Sequence, residues 1–292
     1  MLLAVFLLTA MDAVAKATLE RGVPLVELLF LRSVLICTGL QLAVRLRRET
    51  HRLAVVDRRG QLARAALGTA APLLFFAGLA RLPLTAATVV GFAATFSTVL
   101  LSMAVLGERV GPARWAGIVV GYAGVVIAVG PAREGPASGY ALVLLASLAI
   151  SGFYVAGKRL AASESPLSLV HAYNAVLGLV CLAALPFAWR APDLASLALV
   201  AAFAALAVAG QWLVTVAYAR GDASVVAPLE YTALVWVVAF DVVVWGAAPA
   251  AHTLVGAGVI VAASLFVLHR ERAARTAGAG GTGGAARRPN RG

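Results

Sequence analysis

Two stretches of the sequence repeat each other at an offset of nearly half the chain. The first reads AATVVG at 86–91 and continues to WAGIVV at 115–120. The second reads DASVVA at 222–227 and continues to LVGAGV at 254–259, so the offset grows from 136 residues to 139. Each copy lies within a set of five hydrophobic segments. A duplicated set of apolar segments is typical of secondary transporters, whose binding site lies between the two repeats.

The composition excludes a soluble globular protein. Of the 292 residues, 62% are hydrophobic and 13% are charged, whereas soluble domains average about 45–50% apolar and about 25% charged residues. Most of this apolar surface must therefore face lipid, which predicts an integral membrane protein. The net charge of +11 does not indicate nucleic-acid binding, because the basic residues lie in short loops and in the C-terminal tail rather than along one soluble face.

The apolar segments are long enough to cross a bilayer, which takes about 20 residues of helix. Ten spans are predicted, at 2–18, 23–44, 62–80, 84–106, 112–130, 139–158, 165–188, 194–219, 222–246 and 250–268. The expected fold class is an all-α polytopic membrane protein with ten transmembrane helices, arranged as two inverted repeats of five helices. The repeats give domain boundaries of 1–130 and 139–269, and residues 270–292 form a basic tail that we expect to be disordered.

The distribution of lysine and arginine predicts the orientation of the chain. Eighteen of the 24 basic residues fall in the tail and in the loops on one side, five fall on the other side, and Arg32 lies within a span. Cytoplasmic loops carry the excess of positive charge, so both termini are expected in the cytoplasm. The expected location is the cytoplasmic membrane, with multiple passes through it.

Several short motifs resemble those of one transporter family. They are MDAVAK at 11–16, FLRS at 30–33, LGERV at 106–110 with WAG at 115–117, and ASVVAPLEYT at 223–232. On these residues the chain resembles the drug/metabolite transporter superfamily, specifically the EamA-type permeases with two tandem five-helix repeats. The last motif is most similar to a subset that includes proposed riboflavin and S-adenosylmethionine importers, a similarity too general to identify a substrate.

The resemblance implies a ten-helix carrier of small metabolites. Its central cavity would be lined mainly by helices 1, 3, 4, 6, 8 and 9, and both termini would lie in the cytoplasm. The sequence departs from the family pattern at one point. Members of the family often end the ninth helix with Gly-Glu, whereas here the first repeat has Gly107-Glu108 and the second has Gly246-Ala247. This difference indicates that the two repeats are not fully symmetric.

Four charged residues interrupt the first two spans. An ionisable group within a span costs about 2.5–3.5 kcal/mol to insert and is therefore a functional candidate. Asp12 and Lys16 are four residues apart and share a helix face, where they could bind substrate or neutralise each other. Arg32 needs a partner, either Asp12 or Glu27, and would otherwise offer a bidentate fork to a substrate carboxylate or phosphate. We assign Asp12 to the substrate site, and Lys16, Glu27 and Arg32 to structural ion pairs.

Glu230 is the strongest single candidate for a functional carboxylate. It follows Pro228 in the ninth span and precedes Tyr231, which we also assign to the substrate site. A carboxylate in a low-dielectric site is suited to bind a proton or a cationic substrate group; the alternative is that it satisfies backbone donors at a helix bend. Asp241 lies eleven residues further on, and we predict that Glu230 and Asp241 couple transport to protons. The alternative to a coupling role is that Asp241 lies at the membrane–water interface, toward the far end of the same helix.

The eighth span carries a polar stripe. Gln211, Thr215 and Tyr218 recur at spacings of four and three residues, so they lie on one helix face. Such a stripe is expected to face a cavity or to form hydrogen bonds between helices, and we assign all three to the substrate site. Trp236 of the ninth span could supply an aromatic wall to the cavity or pack ordinarily, and is assigned to the site as well.

The sequence contains no enzyme signature. It has no G-x-S-x-G, no H-E-x-x-H, no P-loop and no dinucleotide-binding motif, so transport must draw on gradients rather than on ATP hydrolysis. The predicted function is secondary transport of a small metabolite by alternating access, with protons as a candidate coupling ion. A membrane-embedded enzyme acting on a lipid-linked substrate is the alternative. The expected partners are a small-molecule substrate and membrane lipids, with no cofactor, no metal and no nucleic acid, and the oligomeric state stays open.

Overall fold

A computed structural model describes residues 1–108, 110–130, 135–190, 193–220 and 226–281. Within these ranges, the side chains of a few helical residues are not part of the description, namely 215, 218, 219, 227, 228 and 271–281.

The described residues form eleven α-helices, numbered here in chain order. They are α1 (Leu2–Glu20), α2 (Leu25–Leu46), α3 (Arg58–Leu79), α4 (Leu84–Gly91), α5 (Ala93–Leu106), α6 (Pro112–Val129), α7 (Ala137–Leu160), α8 (Pro166–Ala188), α9 (Leu194–Arg220), α10 (Ala233–Trp245) and α11 (Ala251–Gly281). Two 3₁₀ helices lie at Thr50–Leu53 and Ala227–Thr232.

The predicted fold class is confirmed. Among the described residues, nine helical segments are long and apolar enough to cross a membrane, with α4 and α5 together forming one of them. The ninth predicted span, 222–246, is seen from Val226 onward as the 3₁₀ helix Ala227–Thr232 followed by α10. Together with these nine segments, the ninth predicted span gives about ten membrane-spanning segments, and the described residues form helices without strands.

The helix that is broken in one repeat is also broken in the other. In the first repeat, α4 ends at Gly91 and α5 begins at Ala93. The equivalent position of the second repeat holds the 3₁₀ helix Ala227–Thr232, with Pro228 in its first turn. Proline lacks the N–H that a regular helix needs, which explains the break in the second repeat. Discontinuous membrane helices at corresponding positions of two repeats are typical of a ligand-binding site between the repeats.

The broken helices also end alike. Gly107 follows α5 with φ 68°, and Gly246 follows α10 with φ 63°. Glycine adopts this left-handed conformation without the steric cost that a side chain brings. The two glycines occupy equivalent positions of the repeats, 139 residues apart, so the repeats share this helix end although the following residue differs.

The two repeats interlock rather than pack as separate bodies. The most extensive helix contacts are α6 with α11, α3 with α7, α1 with α9 and α2 with α8, and α4 also packs on α10. Each of these pairs joins a helix of the first repeat to a helix of the second. The helical core is therefore shared between the halves.

Glycine makes the closest of these contacts possible. A Cβ atom on Gly256 of α11 would lie 2.5 Å from the carbonyl oxygen of Gly124 on α6, too close for any side chain. Small residues let membrane helices approach in this way.

The C-terminal helix is longer than expected. α11 continues to Gly281, although residues from 270 onward were expected to belong to a disordered tail. Alanine and arginine, both strong helix formers, supply seven of the twelve residues at 270–281, and the three glycines lie in its last four positions. Residues 282–292 lie outside the described part of the chain.

Candidate functional site

Two adjoining cavities lie at the centre of the bundle. The larger has a volume of about 670 Å³ and the smaller of about 370 Å³. Both are lined by Phe92, Thr95, Thr98 and Glu230, so they meet at the broken helices of the two repeats. The smaller cavity extends from there to Glu108 and Arg114, which follow α5 and begin α6. We call this side the Glu108 end of the bundle.

The larger cavity combines aromatic walls with three charged groups. Asp12, Arg32 and Glu230 line it, and its aromatic lining consists of Phe75, Phe76, Phe92, Tyr154 and Tyr173. The spans that contribute are mostly those implied by the family resemblance. Spans 2 and 7 contribute as well, through Arg32 and Tyr173, whereas none of the described side chains of α9 lines either cavity.

Asp12 and Arg32 face the larger cavity from α1 and α2. Their charges interact, but no hydrogen bond or ion pair joins them among the described residues. The Nε atom of Arg32 is buried and has no hydrogen-bond partner. The guanidinium carbon lies 5.9 Å from the ring centroid of Phe203, which provides an aromatic face on one side. Arg32 is thus a cavity residue, and the structural ion pair that the sequence favoured is not observed in the described part of the chain.

Glu230 lies where the two cavities meet. It belongs to the 3₁₀ helix Ala227–Thr232, and its side chain is exposed to the open volume. The neighbouring Tyr231 lines the smaller cavity, and its ring centroid lies 5.5 Å from that of Phe92 at the break between α4 and α5. The broken segments of the two repeats therefore contact each other directly through an aromatic pair.

Asp241 and Lys16 lie at the opposite end of the bundle from Glu108. The carboxylate of Asp241 accepts the backbone N–H groups of Leu84 at 3.0 Å and Thr85 at 2.6 Å. It thereby caps α4, a helix of the other repeat. The ammonium group of Lys16 donates to the carbonyl oxygen of Leu82 at 2.6 Å. We call this the Lys16 end of the bundle.

The Lys16 end is closed. Lys16, Leu82, Leu84, Thr85 and Asp241 are all buried. The ammonium group of Lys16 also lies 5.0 Å from the ring centroid of Trp245. The indole N–H of Trp245 donates to Glu20 at 2.7 Å, which joins the ends of α10 and α1. Buried hydrogen bonds between the repeats therefore separate the cavity from this side of the bundle.

Glu27 also differs from its expected role. Its side chain is fully buried, and one carboxylate oxygen accepts the backbone N–H of Arg190 at the long distance of 3.5 Å. The other oxygen has no partner. In the described structure neither Lys16 nor Arg32 forms an ion pair with it. The loop before α9 and the start of α2 meet at this residue.

The remaining candidates lie away from the two cavities or outside the description. Gln211 of α9 is exposed and lines neither cavity. Trp236 lines neither cavity either, and packs edge-on against Phe6 at 4.9 Å between ring centroids. The side chains of Thr215 and Tyr218 lie outside the described part of the structure.

Tyr173 and Tyr154 are cavity residues that sequence reasoning did not assign to the site. Tyr173 packs on Phe153 at 5.1 Å, and the guanidinium of Arg64 covers the same Phe153 ring at 3.9 Å. Arg64 in turn donates to the carbonyl oxygen of Leu169 at 2.9 Å. Tyrosine within an otherwise apolar span is the signal that could have identified both, because its hydroxyl group needs a polar neighbour or an open volume.

A buried carboxylate joins the repeats near the Glu108 end. Glu164, in the loop between α7 and α8, accepts the backbone N–H groups of Val56 at 2.9 Å and Asp57 at 2.7 Å, and the hydroxyl of Ser168 at 2.8 Å. Burial alone would raise the pKa of Glu164, but these hydrogen bonds outweigh it, so the pKa lies below its ordinary value of 4.5. The side chain thus fastens the loop before α3 to the loop before α8.

The chain is similar to known membrane transporters over most of its length. A sequence profile described as the EamA-like transporter family matches residues 1–130 and 137–269. A riboflavin transporter of Rhizobium johnstonii is 33% identical over 211 residues, which are 71% of this chain and 68% of that protein. A pseudopaline exporter of Pseudomonas aeruginosa is 28% identical over 278 residues, covering 92% of this chain and 94% of that protein.

Two further similarities cover a comparable part of the chain. An S-adenosylmethionine uptake transporter of Rickettsia bellii is 29% identical over 208 residues, covering 69% of this chain and 72% of that protein. One solved crystal structure superposes with a TM-score of 0.60 at 23% identity, and covers 90% of this chain and 94% of the other. That structural similarity supports the fold.

Proposed function

Because the chain belongs to the EamA-like transporter family, and is thus a secondary transporter of small metabolites, we propose that its substrate binds in the central cavity between the broken helices. The observation that carries this proposal is the convergence of the two breaks on one cavity that holds Asp12, Arg32 and Glu230. Relatives named as importers and as an exporter support transport, but they differ in direction.

Alternating access would start from a state that is closed at the Lys16 end. The buried contacts of Lys16 and Asp241 close that end, while the smaller cavity reaches Glu108 and Arg114 at the other. For the cavity to open on the opposite side, these contacts between α1, α4 and α10 must separate.

Glu230 is proposed to bind the substrate and, if transport is coupled to protons, to carry the proton. Two observations support both roles: Glu230 lines both cavities, and it lies on the irregular segment of the ninth span. Tyr231 and Asp12 are proposed as further substrate-site residues. For Asp241 the two backbone hydrogen bonds favour a role in closing the Lys16 end. Proton coupling at Asp241 is a second proposal, which the pH dependence of transport in Asp241→Asn would test.

The orientation is proposed from the basic residues of the loops. The Glu108 end would face the cytoplasm, together with both termini, and the membrane would be the cytoplasmic one. In this orientation the described state is open toward the cytoplasm.

Uptake into proteoliposomes tests the proposed function. Purified protein would be reconstituted and supplied with riboflavin, S-adenosylmethionine and amino acids, each with and without an imposed pH gradient. We expect flux of one class of compound above that of empty liposomes, and loss of most of this flux in Glu230→Gln. The matched control is Glu49→Gln, which changes a surface carboxylate outside both cavities. Equal flux in Glu230→Gln and in the wild type would remove Glu230 from the site.

A further inference from the structure

We infer that Arg32 binds a carboxylate of the substrate and that Asp12 binds a cationic nitrogen of the same molecule. The substrate would then be a zwitterion with a flat ring. The inference rests on the proposed transport function, because it names the ligand of the same cavity. It replaces the structural role that the sequence suggested for Arg32.

The first observation is the state of the guanidinium group. Arg32 cannot shed its charge, and burial of an uncompensated charge within a membrane is costly. Its Nε atom is nevertheless buried without a partner, and no ion pair is formed by Arg32 within the described residues. Arg32 lines the larger cavity, and the planar fork of its guanidinium group has the geometry that suits a carboxylate.

The second observation is the neighbouring carboxylate. Asp12 lines the same cavity from the adjacent helix α1, and among the described residues it takes part in no hydrogen bond or ion pair. Its charge interacts with that of Arg32, but across a separation too large for a direct ion pair. Two opposite charges thus face the open volume side by side. A ligand that carries an anionic and a cationic group on neighbouring atoms would satisfy both.

The third observation is the overall charge of the cavity. Glu230 adds a second carboxylate to the lining of the same cavity. A dianionic phosphate would be repelled by both carboxylates, whereas a zwitterion brings one anionic group to Arg32 and one cationic group to Asp12. The charges therefore favour a carboxylate over a phosphate at Arg32.

The aromatic residues that line the larger cavity indicate that the uncharged part of the ligand is a flat ring. Phe75, Phe92, Tyr154 and Tyr173 present aromatic surface to the same volume as the charged groups. Aromatic side chains bind flat rings by stacked or edge-on contacts.

Three matched probes separate the parts of this inference. L-tryptophan carries both charged groups, tryptamine lacks the carboxylate, and 3-indolepropionate lacks the amine, while all three share one ring. Their dissociation constants would be measured by ligand-induced thermal stabilisation of the purified, full-length protein. We expect tryptophan to bind the wild type most tightly. In Arg32→Gln the affinity for tryptophan and for 3-indolepropionate should fall by about tenfold or more, because a charge-assisted bidentate contact is lost, while that for tryptamine should not fall.

Two further variants complete the test. Asp12→Asn should weaken the binding of tryptophan and tryptamine and leave that of 3-indolepropionate unchanged or tighter. Arg45→Gln is the matched control, since Arg45 lies on the same helix α2 but is exposed and outside both cavities. A ligand-free melting temperature that is unchanged or raised in Arg32→Gln is expected, because no ion pair is broken. A clear fall would assign Arg32 the structural role and overturn the inference.

The outcomes distinguish this inference from the proposed function. Equal affinity of the wild type and Arg32→Gln for tryptophan overturns the assignment of Arg32. Absence of binding by all three probes at millimolar concentration overturns the zwitterionic ring class. In either case, measured flux of another compound such as riboflavin would leave the transport function standing.

Discussion

The carboxylate of Asp241 accepts the backbone N–H of Leu84 at 3.0 Å, although the two residues lie 157 positions apart. A side chain of the second repeat therefore supplies the cap for a helix of the first. Most helix caps are local, formed by a residue next to the helix that it caps. Here the cap also holds two repeats together at the closed end of the cavity.

Replacing Asp241 should allow the Lys16 end of the bundle to open more readily. Asp241→Ala removes acceptors for two backbone N–H groups, and we expect a loss of about 1 kcal/mol or more, since cap removal typically costs about 0.5–2 kcal/mol. Asp241→Asn keeps one acceptor oxygen and should be less destabilised. Thermal unfolding in detergent measures the stability, and reagent labelling of a cysteine introduced at Leu82 measures opening. Faster labelling with little loss of melting temperature is expected for Asp241→Asn.

The comparison for Asp241 is Asp57. Asp57 accepts the N–H of Gly60 at 2.9 Å and caps α3 within its own repeat. Asp57→Ala removes this cap and should reduce stability by about 0.5–2 kcal/mol without changing the labelling at position 82. Identical labelling rates for the Asp241 and Asp57 variants would contradict the role of Asp241 in closing the bundle. An unchanged pH dependence of transport in Asp241→Asn would exclude proton coupling at this residue.

The contact of α6 with α11 depends on Gly256. Any Cβ atom at this position would lie 2.5 Å from both the backbone nitrogen of Ala128 and the carbonyl oxygen of Gly124, so Gly256→Ala must push the helices apart. We expect a destabilisation of about 1–3 kcal/mol, the usual cost of overpacking. Gly258→Ala is the control two residues away, where a Cβ atom would meet nothing within 4 Å. Thermal unfolding of the two variants should differ clearly, and equal melting temperatures would refute the close packing.

The lowered pKa of Glu164 should make the stability of the folded protein depend on pH. Its pKa is lower in the folded protein than in the unfolded chain, so the stability that it contributes is present above about pH 4.5 and is lost as the pH falls through the lower, folded value. Glu164→Gln should therefore melt at a lower temperature than the wild type at pH 7, and the difference should shrink as the pH falls below 4.5.

The control for Glu164 is Glu49→Gln. Glu49 pairs with Arg52 at 3.4 Å on the surface, where ion pairs contribute little. Its variant should follow the wild-type curve at every pH. A constant difference between Glu164→Gln and the wild type across the whole range would show that the carboxylate charge is not what stabilises the loop.

Phe92 should influence transport more than stability. Its ring lines both cavities and contacts Tyr231 across the two breaks, a contact that contributes about 0.5–1.5 kcal/mol in comparable pairs. We expect Phe92→Ala to reduce flux of a ring-bearing substrate by about tenfold, because the wall of the site and its alignment are both lost. Phe187→Ala is the control, since Phe187 is 91% exposed on α8 and lies outside the cavities. Equal flux in the two variants would argue against Phe92 as a site residue.

Reporter fusions test the proposed orientation. Alkaline phosphatase, which is active only outside the cytoplasm, should be inactive when fused after residue 270 and active when fused after Gly130, between α6 and α7. Green fluorescent protein should show the reverse. An active phosphatase at the C-terminal fusion would invert the topology and place the described opening on the outside.

Much of the fold could be predicted because membrane insertion acts on short segments. Apolar length and flanking charge are local properties, and they were sufficient to identify the spans, while Pro228 indicated a bend in the ninth span. The break at Gly91 was not predicted, because the sequence there continues without proline or charge. Only the equivalence of the repeats could have suggested it, since the second copy carries a visible proline at the matching position.

The candidate site was harder to predict because it depends on neighbours from distant parts of the chain. The sequence paired Lys16 with Asp12 through their spacing of four residues, yet the structure places Lys16 against Leu82 and near Trp245. Arg32 was expected to be paired, and it faces open volume instead. Spacing along one helix shows which side chains share a face, but not which helix lies opposite.

The pairing of every major helix with one from the other repeat also has a consequence for how the protein is made. The first five spans leave the ribosome and enter the membrane before their principal partners have been synthesised. Until α11 arrives, the surface of α6 around Gly124 has only lipid to contact, and α4 lacks the carboxylate that caps it. The first repeat should therefore wait as inserted but unassembled helices, open to membrane proteases. Final assembly should occur only when translation is nearly complete, so truncation even at the last span would leave both halves unstable.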